Sequence, residues 1–277
     1  MAGHGAQREP DAESYFTGRD AWFTAGGRED RPTSPPPATP SVASVHEPAR
    51  ETPVHEETDV LVVGGGPAGT AAAIAARRLG QRVTLVERYG DLGGLSAGGL
   101  VIWIDRMTDW TGTQVIAGIG SELLDRLPES AIAGPGPELW GSTDADDVAY
   151  WRERLSAFRD TVCRSPMIDP EWLKIASHEM LVADGVRVLL HSWVVSAITD
   201  GTEVKGAIFE SKEGRRAILA KVVVDCTGDL DVIAQAGGAF VTDAEQEGKG
   251  GNVQHCINTA FTWSGVDFKC WLRFKQG

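Results

Sequence analysis

The stretch DVLVVGGGPAGT occupies residues 59–70 and opens with a continuous apolar run that ends in glycines. The alanine-rich segment TAAAIAARRLG follows at 70–80, and a second apolar run, QRVTLVER, follows at 81–88. The two runs predict strands, and the segment between them predicts a helix that Gly80 ends. Strand, helix and strand within about thirty residues are typical of a parallel crossover. The sequence therefore predicts an α/β fold with a parallel sheet.

The glycines between the first strand and the helix match a dinucleotide-binding loop, with Gly64, Gly66 and Gly69 at the pattern positions and Pro67 and Ala68 between the last two. Gly64 would make the tight turn, Gly66 would let a pyrophosphate approach the backbone, and Gly69 would let helix and strand pack closely. Free amides at the helix N-terminus would meet the anion. The pattern predicts a Rossmann-like nucleotide-binding domain.

An acidic residue, Glu87, closes the second predicted strand eighteen residues beyond Gly69. At that position a carboxylate accepts hydrogen bonds from ribose hydroxyls and would repel a 2′-phosphate. The neighbouring Arg88 has two interpretations, exposure to solvent or stacking near the adenine. This part of the pattern does not separate FAD from NAD.

A second segment, KVVVDCTGDLDVIAQAGG at residues 221–238, predicts an apolar strand, a turn and a helix. Together with the motif DVLVVGGGPAG, it resembles the FAD-dependent oxidoreductases of the glutathione-reductase-like superfamily, whose second motif is close to DATGDGD. Cys226 and Leu230 stand where that motif has alanine and glycine. The resemblance covers residues 59–267 and implies FAD as the cofactor.

The resemblance also implies contacts to the cofactor from a glycine-rich loop, a strand and the second motif: Gly93, Gly94, Ser96, Val194, Thr227, Gly228 and Asp229. The loop LGGLSAGG at 92–99 resembles the segment that runs along the flavin pyrophosphate toward the isoalloxazine. The Val194 backbone would bracket the adenine. A second interpretation stays open, in which the loop glycines only supply positive φ angles and Asp229 and Asp231 only cap the following helix.

The remaining patterns predict further elements of the domain. We expect a helix at 115–127, a loop at 133–147, and a helix at 170–185 that begins after Asp169 as N-cap. Three strand-like runs, at 186–200, 203–211 and 215–228, predict a meander or hairpin insertion that returns the chain to the main sheet.

The domain organisation follows from composition and from the resemblance. Residues 1–57 hold eight of the 14 prolines and predict a disordered tail. Residues 58–245 form the predicted FAD-binding domain, and 246–277 begin an incomplete substrate-side domain. Because the resembled family continues further, we expect the chain to be truncated at its C-terminus.

Charge and cysteine usage exclude several classes of protein. A formal net charge of −13 and a pI near 4.9 argue against a nucleic-acid partner. No apolar run approaches the roughly 18–20 residues of a membrane span, and no signal peptide is evident, so we expect a cytoplasmic protein. The four cysteines are scattered, which predicts no metal site and leaves any iron–sulfur cluster to a partner.

Three functions remain open. The first is an FAD-dependent oxidoreductase that transfers hydride or electrons through a non-covalent flavin to an unknown small-molecule substrate or electron-transfer partner. The second is an electron-transfer module similar to the flavoprotein subunit of heterodisulfide reductase, with an iron–sulfur partner. The third is a non-catalytic nucleotide-binding remnant. Catalytic residues and oligomeric state stay unassigned, and His255 with Cys256 is interpreted as a core pair.

Overall fold

A computed structural model describes residues 44–240, 260, 262, 264–267, 269–270 and 273–274. In this part of the chain the strands are β1 (Val54–Val63), β2 (Val83–Val86), β3 (Ile132–Ala133), β4 (Ala157–Phe158), β5 (Thr161–Val162), β6 (Met167–Ile168), β7 (Arg187–Leu189), β8 (Trp193–Asp200), β9 (Glu203–Ser211) and β10 (Gly214–Asp225). The helices are α1 (Pro67–Arg78), α2 (Gly94–Ala97), α3 (Ile119–Leu124), α4 (Ala145–Arg152), α5 (Pro170–Ala183) and α6 (Asp231–Gln235).

A six-stranded sheet, in the order β7-β2-β1-β10-β9-β8, forms the centre of the fold. The four strands β7, β2, β1 and β10 run parallel, whereas β10, β9 and β8 form an antiparallel meander. In the middle of the sheet, Val60 of β1 pairs with Val83 on one side and Val222 on the other. The predicted Rossmann-like parallel sheet with a meander insertion is confirmed.

Strand β1 is apolar on both faces because both faces are covered. Val60 and Val62 pack in a cluster with side chains of α1 and α5, including the fully buried Ile74. Leu61 and Val63 belong to a second cluster, formed with the meander strands and α6. A strand that is buried on both faces reads as a continuous apolar run rather than an alternating one, which explains the sequence DVLVV.

The helix after residue 169 forms as predicted, because its ends carry the expected signals. The Asp169 carboxylate accepts hydrogen bonds from the backbone N–H groups of Glu171 (2.8 Å) and Trp172 (3.3 Å). Gly185 follows the helix with a φ of 78°, a left-handed conformation that favours glycine.

The predicted helix at 115–127 is wrong in its first part. Only Ile119–Leu124 is helical, since Gly118 has φ 65° and ψ −140°. Before it, the backbone N–H groups of Val115 and Ile116 donate to the carbonyl of Met107 instead of to a helix turn. The apolar spacing is typical of a helix, but these hydrogen bonds to Met107 keep the segment before Gly118 out of a helical conformation.

Two further boundaries differ from the predictions. The predicted loop at 133–147 overlaps α4, which begins at Ala145 because the Asp144 carboxylate accepts hydrogen bonds from two first-turn amides. The single strand predicted at 186–200 divides into β7 and β8 at His191, whose φ is 50°.

The first strand begins earlier than the sequence predicts. Strand β1 begins at Val54, so residues 54–57, predicted as tail, belong to the sheet, and the Pro53 carbonyl accepts a hydrogen bond from Ala217. Residues 1–43 of the predicted tail and most of 246–277 lie outside the described ranges. Within those ranges no helix has the length and hydropathy that crossing a membrane requires.

Leu230 occupies a conformation that suits glycine. It precedes α6 with φ 58° and ψ 37°, and its side chain is exposed. The resembled motif has glycine here, the residue that adopts a left-handed conformation most readily.

We predict that Leu230→Gly is more stable than Leu230→Ala by about 1 kcal/mol, because only glycine adopts this conformation without strain. Both variants lose the same exposed side chain, so their difference isolates the backbone. Chemical denaturation of the two variants measures it. Equal stability would contradict a left-handed Leu230.

Candidate functional site

The turn between β1 and α1 depends on two glycines that have no room for a side chain. Gly64 has a φ of 103°, and a Cβ there would lie 2.4 Å from the carbonyl oxygen of Cys226. A Cβ on Gly69 would lie 1.8 Å from the carbonyl oxygen of Gly64. These two glycines therefore let β1, α1 and the end of β10 meet at one point.

Gly66 differs from its neighbours because the space beside it is open. Its backbone is extended, with φ −71° and ψ −174°, and a Cβ would meet nothing nearer than the Gly94 Cα at 3.8 Å. It is the N-cap of α1, whose first turn has no side-chain cap and no acidic residue. Pro67 and Ala68 follow and are exposed. An anion placed here would meet free amides and the positive end of a twelve-residue helix.

Glu87 is buried and holds the glycine loop in place. One carboxylate oxygen, Oε2, accepts a hydrogen bond of 2.6 Å from the Gly65 N–H, and Oε1 accepts one of 2.8 Å from the Tyr89 N–H. A carboxylate has about four lone-pair sites, so each oxygen keeps a further acceptor position. Glu87 thus has a structural role beside its predicted role toward a ribose.

The second glycine-rich loop packs directly on the first. The Gly93 N–H donates to the Gly65 carbonyl at 2.9 Å, and a Cβ on Gly94 would lie 2.9 Å from the Gly66 Cα. Gly93 and Gly94 have φ values of 100° and 50°, so they do supply positive φ angles. Ser96 lies in the short helix α2 and is partly buried. The open space at Gly66 is bounded by this loop.

The second motif is organised by Asp225. Its Oδ1 accepts hydrogen bonds from the Thr227 N–H and hydroxyl, and its Oδ2 accepts from the amides of Val232 and Ile233. The Thr227 hydroxyl oxygen also accepts from the Asp231 N–H at 3.0 Å. The side chains that accept the capping hydrogen bonds of α6 are therefore Asp225 and Thr227, which corrects the interpretation of Asp229 and Asp231 as the caps, although Asp231 lies in the first turn of the helix.

A cleft at the carboxyl ends of the parallel strands brings together five of the predicted residues: Gly64, Glu87, Arg88, Val194 and Thr227. Arg88 is exposed there, and its guanidinium lies 4.7 Å from the centre of the Tyr89 ring. The other predicted residues lie outside the lining of this cleft: Gly66, Pro67, Ala68, Gly69, Gly93, Gly94, Ser96, Gly228 and Asp229. Gly228 and Asp229 are exposed in the turn before α6.

Sequence reasoning did not assign five residues of the cleft lining to the site, namely Val63, Val86, Ser192, Trp193 and Asp231. Ser192 is buried and its N–H donates to the Glu87 carbonyl at 2.9 Å, whereas Trp193 is 59% exposed. Both residues follow the carboxyl end of the parallel strand β7, and the carboxyl ends of parallel strands meet at one edge of a sheet. The prediction of one continuous strand at 186–200 hid this edge, because it placed both residues in mid-strand.

Two cysteines of the described ranges, Cys163 and Cys226, are not activated. Burial raises the pKa of the Cys163 thiol, and burial together with the Asp225 charge raises the pKa of Cys226. Both thiols therefore stay protonated near neutral pH. In the same ranges no group of three or more metal-ligating side chains comes together. His255 and Cys256 lie outside the described residues.

Comparison with known families agrees with this geometry. A family model described as FAD dependent oxidoreductase matches residues 59–274. The chain belongs to this family. The match includes both glycine loops, Glu87 and the second motif.

Individual relatives are similar over shorter stretches. The tRNA uridine 5-carboxymethylaminomethyl modification enzyme MnmG of Treponema pallidum is 31% identical over 179 residues, which cover 57% of this chain and 28% of that protein. The sarcosine oxidase alpha subunit of a Corynebacterium species is 46% identical over 72 residues, or 23% of this chain and 8% of that subunit. A geranylgeranyl bacteriochlorophyll reductase-like structure from Thermoplasma acidophilum has a TM-score of 0.46 at 20% identity, covering 66% of this chain and 42% of the other.

We predict that Gly66→Ala folds normally but weakens FAD binding at least about ten-fold, because its methyl group would occupy the open space before α1. The matched variant Gly69→Ala should instead lose at least about 3 kcal/mol of stability, since its Cβ would overlap the Gly64 carbonyl. Thermal unfolding without ligand and titration with FAD separate the two effects. Unchanged FAD affinity in folded Gly66→Ala would contradict the assignment.

We also predict that Glu87→Gln destabilises the ligand-free protein by about 1–3 kcal/mol, because an amide cannot accept from both Gly65 and Tyr89. Urea denaturation measures the loss. Glu153→Gln, which alters an exposed carboxylate, is the control and should leave the stability unchanged. Loss of ribose recognition alone, with full ligand-free stability, would argue against the loop-holding role of Glu87.

Proposed function

We propose that the chain binds FAD non-covalently and acts as a flavin-dependent oxidoreductase. The observation that carries the proposal is the open space at Gly66, beside the uncapped N-terminus of α1 and bounded by Gly94. A pyrophosphate fits this place because it needs backbone donors and close approach to a residue without a side chain. Membership of the family adds support from the sequence.

The predicted residues divide by the part of FAD that each would hold. Gly66, Ala68 and Gly69 would donate backbone amides to the pyrophosphate. The free acceptor positions of Glu87 would receive ribose hydroxyls, and the adenine would lie in the cleft beside Val194 and Thr227. The remaining predicted residues would lie at the edges of these subsites. On the adenosine side they are Gly64, Pro67, Arg88, Gly228 and Asp229, and on the flavin side they are Gly93, Gly94 and Ser96.

A bound flavin supplies hydride or electron transfer by itself. The described residues of this chain would bind and orient it, and Glu87 would also hold the loop that receives the pyrophosphate. The protonated thiols of Cys163 and Cys226 do not suit disulfide chemistry. We propose a small-molecule substrate or an electron-transfer partner, and a cytoplasmic location.

The test uses the purified full chain and FAD. We expect flavin absorbance that stays with the protein on gel filtration, a melting temperature that rises with FAD concentration, and reduction of the bound flavin by light under anaerobic conditions. NADP⁺ is the control ligand, since its 2′-phosphate would be repelled by Glu87, and it should not raise the melting temperature.

Other outcomes would lead to the other two functions. Binding of ADP without a reducible flavin would replace the proposal with a nucleotide-binding remnant. Stoichiometric iron in the isolated chain would instead favour an electron-transfer module and would overturn the expectation that clusters lie on a partner. Absence of any FAD binding would reject the proposed function.

A further inference from the structure

A second cavity, of about 490 Å³, lies among residues 114–166 and shares no residue with the nucleotide cleft. Its walls include Ile132 and the aromatic ring of Trp140, together with three prolines: Pro135, Pro137 and Pro166. Its polar side chains are few: Gln114, Ser121, Asp125 and Arg164. The lining thus combines apolar rings with a few converging polar groups, and its volume lies in the range of roughly 300–1,000 Å³ that is typical of small-molecule sites.

The cationic group of this cavity is a nearly buried guanidinium. The Arg164 side chain is only 11% exposed. One amino group donates to the Ser121 hydroxyl at 2.9 Å and the other to Asp125 Oδ1 at 3.2 Å. The guanidinium carbon lies 5.1 Å from the centre of the Trp140 ring. A guanidinium carries five N–H donors, so further donors of Arg164 have no acceptor within the described part of the chain.

The N–H donors of the surrounding side chains already make hydrogen bonds within the protein. The Gln114 amide nitrogen donates to the Ile116 carbonyl at 3.0 Å and to the Ser121 hydroxyl at 3.1 Å. The Trp140 indole N–H donates to the Pro135 carbonyl at 2.9 Å. Because these donors are satisfied, the free side-chain donors of the cavity are those of Arg164 and the Ser121 hydroxyl. A ligand that pairs with them presents acceptor oxygens.

We propose that this cavity binds an organic carboxylate. Its two oxygens would pair with the planar guanidinium of Arg164, and its apolar body would lie against Trp140 and the prolines. Asp125 makes a single contact and is 67% exposed, so it can turn into water when a ligand carboxylate arrives. A doubly charged phosphate is disfavoured because Asp125 lies beside the same guanidinium. The proposal is independent of flavin binding.

The probe is 4-fluorobenzoate, followed by ¹⁹F NMR line broadening on the full chain with and without added FAD. We expect binding to wild type in both samples and no binding of the neutral analogue 4-fluorobenzamide. Arg164→Gln should weaken benzoate binding at least ten-fold. Arg152→Gln is the matched control, because that arginine is 55% exposed and lies outside the cavity, and it should bind like wild type.

A second variant keeps the test decisive if Arg164→Gln does not fold. Asp125→Asn removes the competing carboxylate from an exposed position and should tighten benzoate binding about three-fold or more. Equal binding of benzoate and benzamide, or an unchanged affinity in both Arg164→Gln and Asp125→Asn, would overturn the proposal. Binding that changes the flavin absorbance and survives in Arg164→Gln would also overturn it, because the probe would then lie at the flavin.

Discussion

The described fold depends on the close approach of Gly69 to the Gly64 carbonyl, where even a methyl group has no space. It forces α1 to start immediately against the end of β1. The carbonyl of Cys226 approaches Gly64 from the other side, so β10 is held at the same point. As a result the positive end of a long helix and the carboxyl ends of the parallel strands face one cleft, which is the usual ligand position in such sheets.

Much of the fold could be predicted because local pattern and tertiary environment agree. Strand β1 is buried on both faces, and its sequence is a continuous apolar run. Asp169 caps the helix that the sequence predicts after it. The failures arise where long-range contacts decide. The segment before Gly118 has helical spacing, yet its amides bond to Met107, and the division at His191 depends on a backbone angle that no periodicity encodes.

The candidate site shows the same division. The placement of Gly64, Gly69 and Glu87 around the β1–α1 turn could be predicted because each has a fixed position in a short motif. The hydrogen bonds by which Glu87 holds Gly65 and Tyr89 could not, since the motif describes what the carboxylate offers a ligand and not what it offers the chain itself. Trp193 joins the cleft only through the meeting of strands distant in sequence.

That meeting has a kinetic consequence. The cleft forms only where the end of β1 lies beside the end of β10. The register of these two strands pairs Val63 with Asp225, two residues that are far apart in the sequence. Such distant parallel pairings are slow to form, because the entropy of closing a long loop is lost before the contacts are gained. A nucleotide that binds at this cleft would need both strand ends in place, so it would stabilise the paired strands rather than the separate ones.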